Sequence, residues 1–342
     1  MPKERPHYYG GQAVIEGVMM RGADTWAIAC RRPTTEIYVE THPVKGLAQK
    51  HPIWRMPLFR GVATMGEALS IGMRAMMIAA NQSLEEEERL TKKQMGGTIA
   101  FAVLAFVGIF ILFPNVLSNV LGGGGDPAAR NTFVESAKEG GIRLAIFLGY
   151  LIAISYVKEI RRVFQYHGAE HKTIAAHEAG EPALTPSVVD HYSTIHVRCG
   201  TNFLVITMLL TIIVFAFFGQ HAWWVELLYR IPGIFLIAGI SYEGLRLGAA
   251  KTDNRFVRAL MKPGLWLQKI TTRKPEPEMI EVAIRSFEAV LPEEERRKVP
   301  ELPSPLVIGN SLPAEDPAAA ERAREIFEPR AEDPHPGIQP EP

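Results

Sequence analysis

The sequence predicts a mainly α integral membrane protein with about four transmembrane helices, a small cytoplasmic α+β part and a disordered C-terminal tail. Three observations lead there. The mean hydropathy is +0.03 although 22% of residues are charged, so strongly apolar blocks must alternate with polar ones. Lysine and arginine gather on one side of those blocks. Beyond Pro292 prolines and charges replace apolar periodicity.

Taken in order, residues 1–95 read as a cytoplasmic β-rich segment followed by an amphipathic helix. The stretches "QAVIEGVMM" and "TWAIACRRPTTEIYVE" are rich in β-branched and aromatic side chains, with "RGADT" as a turn between them. The methionine- and alanine-rich run from Met56 suits a helix lying against a neighbour or a membrane surface. A membrane domain is expected over 96–250, with spans at about 96–121, 140–157, 201–219 and 223–248. The first and third are uncharged and approach the roughly 20 apolar residues that a hydrocarbon core requires. The second is short and holds Arg143; the fourth holds Glu226, Arg230 and Glu243, with Pro232-Gly233 as a kink. Lys92 and Lys93, the basic residues between Lys158 and Arg198, and those from Arg246 to Lys262 put both termini and the 158–200 loop in the cytoplasm. Residues 251–291 read as a cytoplasmic segment with a second amphipathic helix. Residues 292–342 read as a removable disordered tail, with one short helix at "AAAERAREIF".

Composition excludes some classes. The 37 basic and 37 acidic residues cancel, so the basic excess of a nucleic-acid binder is missing. Two cysteines, Cys30 and Cys199, are too few for a disulfide framework and suit a reducing compartment. The N-terminal stretch has no apolar run of the signal-peptide kind.

Chemistry concentrates in "RRVFQYHGAEHKTIAAHEAG", residues 161–180, and half of the ten histidines lie between His167 and His196. On a helix turning about 100° per residue, His167, Glu170, His171, Ile174, His177 and Glu178 share one stripe. His167 and His171, four apart, can bind one divalent metal, most suitably zinc, and Glu170 can act as general base on a metal-bound water. The spacing His-x-x-Glu-His also occurs in the inverted zincins, an analogy of spacing that requires a distant third ligand. His196, Cys199 or Glu243 can supply it. Alternatively, Arg198 activates Cys199 as a nucleophile, or Glu243 merely pairs with Arg246. Cys30 reads as a core residue.

The motifs "GGQAVIEGVMMRG", "FQYHGAEHKTI", "HVRCGTNFL", "ISYEGLRL" and "PGLWLQKITTRKP" followed by "EVAI" resemble, in that order, the YqhQ-like family of bacterial membrane proteins. The resemblance runs from about Gly10 to Val290. It implies a multi-pass protein of the bacterial inner membrane, of a kind labelled a predicted metal-dependent enzyme. The expected function is a metal-dependent hydrolase working at the cytoplasmic face, in contact with membrane lipids and a protein partner. The alternative is a non-catalytic membrane partner or assembly factor. A transporter fits less well, since one span alone carries an ionisable group near its middle and no inverted repeat is evident.

Overall fold

The computed structural model describes residues 9–44, 51–85, 91–121, 132–218, 223–250, 254–296 and 299–309. Four strands come first: β1 (Gly10–Val14), β2 (Gly17–Arg21), β3 (Thr25–Arg31) and β4 (Ile37–Pro43). The helices are α1 (Phe59–Gln82), α2 (Lys92–Val107), α3 (Phe113–Leu121), α4 (Thr132–Ile154), α5 (Lys158–Glu178) and the single turn α6 (Pro186–Val189). They continue with α7 (Gly200–Phe218), α8 (Trp223–Ala250), α9 (Arg255–Thr271), α10 (Pro277–Glu288) and the single turn α11 (Glu293–Arg296). A last strand, β5 (Leu306–Ile308), completes a sheet in the order β1-β2-β3-β4-β5. The first four strands form an antiparallel meander, and β5 runs parallel to β4 with Ile37 opposite Leu306.

Both faces of this sheet are covered, which explains why β3 reads as an almost unbroken apolar run, "WAIAC". Strand alternation divides the side chains between two cores. Val18, Met20, Ala27, Ala29, Ile37 and Val39 face Tyr166 and Ala169 of α5 and Met279, Ile280 and Phe287 of α10. Met19, Trp26, Ile28, Cys30 and Tyr38 face Ile71, Ala75 and Ala79 of α1. The β1–β2 hairpin turns at Glu16, whose φ of 50° is unfavourable for a non-glycine residue. Two charge-assisted bonds of 2.5 Å from Arg162 and a 3.2 Å bond from the Tyr166 hydroxyl hold its carboxylate. The turn is thereby fastened to α5.

Among the described residues no single helix is long and apolar enough to cross a membrane, so the integral membrane class with four transmembrane helices is corrected to an α+β architecture. The first expected span, 96–121, is divided into α2, a π-helical turn at Gly108–Leu112, and α3. Only a bent pair, Ala137–Ile154 with Lys158–Glu178, has sufficient combined length and apolar character, and it turns by 96° at its break. The third is apolar over Gly200–Phe215, which is too short. The fourth lies in α8, which holds Arg230, Pro232 and Glu243. The tail is corrected over its first part, where Leu302 is buried in the core and Leu306–Ile308 form β5; residues 310–342 lie outside the described residues. The loop at 122–131, the turn at 219–222 and the short helix expected at 318–327 lie outside the described residues.

α1 meets α8 through small residues. A Cβ on Gly61 would come within 2.8 Å of Tyr242, and one on Gly239 within 2.8 Å of the Leu58 carbonyl. This close approach lets Arg60 donate to both carboxylate oxygens of Glu243, through Nε at 2.6 Å and through one terminal nitrogen. The pairing holds the Glu243 carboxyl below its ordinary value of 4.5.

Two expectations follow. A carboxylate with a depressed folded pKa stabilises fully above its unfolded value and loses that contribution as pH falls through the folded one. Glu243→Gln should therefore cost about 1 kcal/mol at neutral pH, and the difference from wild type should vanish on acidification. An equal deficit at pH 7 and pH 3 in thermal melts would refute the pairing. Leu302→Ala should cost about 2–3 kcal/mol, and a chain ending at Val290 should melt well below the full chain. Unchanged melting would show that the tail strand contributes nothing.

Candidate metal centre

Helix α5 can carry its polar stripe into the interior because Gly168, between the two histidines, lets neighbouring backbone approach closely. A Cβ on Gly168 would lie 2.1 Å from the Arg273 carbonyl oxygen, so only glycine admits the strand of backbone that leaves α9. Arg273 N–H donates to the Phe164 carbonyl at 2.9 Å and fixes that approach. As a result the Thr271 carbonyl sits 2.9 Å from His167 Nδ1. On the next turn, His171 Nδ1 lies 2.5 Å from the Thr194 carbonyl. If each imidazole donates its Nδ1–H to that carbonyl, each Nε2 keeps a free lone pair, as in histidines that bind metals.

The segment carrying Cys199 is clamped from α9. Gln268 accepts from His196 N–H and donates to the His196 carbonyl, both at 2.9 Å. Asn202 donates to the Val197 carbonyl at 2.6 Å and lies so close to Gly264 that a Cβ there would be 2.1 Å from its Oδ1. Cys199 Sγ then rests 3.3 Å from His167 Nε2 and accepts from the Thr201 hydroxyl at 3.2 Å.

His167, His171 and Cys199 thus bring one donor atom each to within 4.8 Å of one another, and the group can hold a metal ion. Donors around a tetrahedral zinc stand roughly 3.5 Å apart, so the existing spacing needs little adjustment. One observation favours an ion: His171 Nε2 is buried and has no hydrogen-bond partner, as is also true of Glu170 Oε2. Buried orphans of this kind are costly unless a ligand partners them. Glu170 stands beside the cluster under β1. It accepts from the Gly11 backbone N–H, and a Cβ on Gly11 would lie 3.0 Å from its carboxyl carbon.

Burial sets the electrostatics. Desolvation, reinforced by the neighbouring His167, lowers His171 to about 3, so it is neutral at physiological pH and in its ligand form. Desolvation raises Glu170 to about 8, and it raises the Cys199 thiol as well. Both anions are therefore disfavoured unless a positive charge is nearby, which a divalent cation would provide.

The remaining sequence candidates separate. His196 is next to the cluster, its ring 5.7 Å from that of His171, but its Nε2 points to Glu178 at 3.4 Å. Glu243 is elsewhere, held by Arg60. His177 stacks edge-on against Tyr9 and Phe287 and pairs with Glu295 at 3.2 Å, away from the other histidines. The groups that sequence reasoning missed are the Thr194 and Thr271 carbonyls, Gln268 and the Gly11 amide. Two of these are backbone oxygens and one a backbone nitrogen, for which side-chain identity gives no signal.

The profile of a family described as "Protein of unknown function (DUF1385)" matches residues 56–293, a range containing every residue of the cluster. A protein of Bacillus subtilis (strain 168) described as "Uncharacterized protein YqhQ" is 33% identical over 304 residues, covering 84% of this chain and 93% of that protein. No solved structure matches. With more than half its length under that profile and a third of the aligned residues identical across nearly the whole relative, the chain belongs to the DUF1385, or YqhQ-like, family.

Proposed function

We propose that the chain is a metal-dependent hydrolase whose centre is zinc held by His167, His171 and Cys199. The observation that carries this reading is the convergence of three donors with both imidazoles backed by backbone carbonyls. Two nitrogens and a sulfur suit zinc better than magnesium or calcium, and three protein ligands leave a fourth position for water or substrate. A bound zinc supplies Lewis acidity and lowers the pKa of water. Glu170 takes the proton of the attacking water on Oε2, the oxygen without a protein partner, and returns it to the leaving group. The Gly11 amide fixes the carboxylate for that transfer, and the Thr271 and Thr194 carbonyls keep the imidazoles in one tautomer.

We also propose that the chain works at the bacterial inner membrane, with lipid as the neighbour of its exposed apolar side chains. Phe101 and Leu104 of α2, Val120 of α3, Phe217 of α7 and Leu228 of α8 are all more than half exposed. Such surface is costly in water and suits an acyl-chain environment. An apolar surface that instead seats a protein would support the assembly-factor reading.

Elemental analysis of the purified full chain should find about one zinc per molecule. His167→Ala, His171→Ala and Cys199→Ala should each lose it. Glu243→Gln should keep it. Glu170→Gln should retain the metal yet hydrolyse an activated ester about 100-fold more slowly. If correctly folded wild-type protein takes up no zinc and gains no stability from it, the hydrolase reading fails. The lipid reading is tested by flotation with vesicles of phosphatidylethanolamine and phosphatidylglycerol: the full chain should float with them, and a chain remaining at the bottom of the gradient would refute it.

A further inference from the structure

Two turns along α5 from His171, the cluster gives way to a group of charges. Glu178 forms an ion pair with Arg198, and its Oε2 lies 3.4 Å from His196 Nε2. Arg198 is covalently adjacent to Cys199, and the His196 ring is 5.7 Å from the His171 ring. Side-chain exposure falls from 34% at Glu178 to 25% at Arg198 and 12% at His196, and His171 is buried. A polar strip thus leads from the surface to the metal donors.

The two sides of this pairing are unequally held. His196 is fixed through both its backbone groups by Gln268, so the segment carrying the imidazole and the guanidinium is rigidly placed. Glu178 is the last residue of α5, followed by Ala179 and by Gly180 with φ +81°, where the helix ends. A partly exposed ion pair contributes little net stability, on the order of 1 kcal/mol or less, so its carboxylate is cheaply displaced. Guanidinium groups bind carboxylate and phosphate with the same two-pronged geometry.

Resting on the metal reading, we propose that Arg198 and His196 form an oxyanion-binding subsite of the metal centre, filled here by the chain's own Glu178. The substrate carries a carboxylate or phosphate group that displaces Glu178, and this contact orients its scissile bond toward the cluster.

The test titrates the zinc-loaded full chain with inorganic phosphate and, separately, with N-acetylglycine, following heat. Glu178→Gln removes the competing carboxylate and should tighten binding of one of them about tenfold. Arg198→Met should abolish that binding, with Arg198→Lys as the milder replacement if the methionine variant is unstable. Both variants should keep the wild-type zinc content. Tightening for phosphate alone identifies a phosphoryl group, and tightening for N-acetylglycine alone a carboxylate. If Glu178→Gln tightens neither and Arg198→Met binds like wild type, the proposal is overturned and the ion pair only staples α5 to its neighbouring loop. Failure of the metal reading looks different: the wild type would lack zinc, while the same titrations on metal-free protein would still show whether Glu178 competes.

Discussion

Helix α5 runs through the interior with its polar side chains, and the elements around it are arranged to meet them. A helix carrying histidines, a glutamate and a lysine can enter an interior only if nearly every polar atom finds a partner. The partners come from all directions: carbonyls of Thr271 and Thr194, the Gly11 amide, and Asp190, whose Oδ1 accepts from Lys172 at 3.0 Å. This requirement explains the otherwise odd placement of small residues. Gly168 and Gly11 let backbone come close enough to act as the hydrogen-bonding surface, which bulkier neighbours would hold away. The sheet, α9 and the loop before α7 are therefore positioned by one helix.

Satisfaction is incomplete at one place only along the His167–Glu170–His171 face, and that place has the character of a site. Burial drives His171 and Glu170 toward their neutral forms, leaving a neutral lone pair and a carboxyl group facing a thiol. A protein core would normally place hydrocarbon at such positions. Here the donors are of the kind that bind borderline metals, and the atoms supporting them lie on three separate elements. The chemistry is local to α5, but the geometry belongs to the whole fold.

Sequence reading reached different depths in different regions. The β character of residues 10–41 is written in their Val, Ile and aromatic content, and the end of α5 in Gly180, whose positive φ glycine adopts readily. The sharing of one stripe by His167, Glu170 and His171 follows from helical periodicity alone. Cys199 could be named as a possible ligand but not chosen over His196 or Glu243, because the choice depends on how α9 clamps the 196–202 segment and on Arg60 reaching Glu243. Those are contacts between residues 72 and 183 positions apart. The membrane-spanning class failed for a different reason. Hydropathy reports apolar content and not helix continuity, so a π-helical turn and a 96° bend are invisible to it. The tail strand was missed because three residues, "LVI", in a proline-rich stretch have no periodicity to show.

That tail strand has a consequence for how the chain is made. β4 leaves the ribosome well before its partner along one edge, Leu306–Ile308, which is synthesised more than 260 residues later. At about 5–20 residues per second, the interval is on the order of tens of seconds. Throughout that time Ile37–Val39 present an unpaired, apolar strand edge, the kind of surface that recruits strands from other chains. The N-terminal sheet also waits for α10 to cover its face, so translation separates its formation from its completion. A nascent chain is thus obliged to hold this sheet edge open throughout the synthesis of α1 to α11, until Leu306–Ile308 emerge to close it.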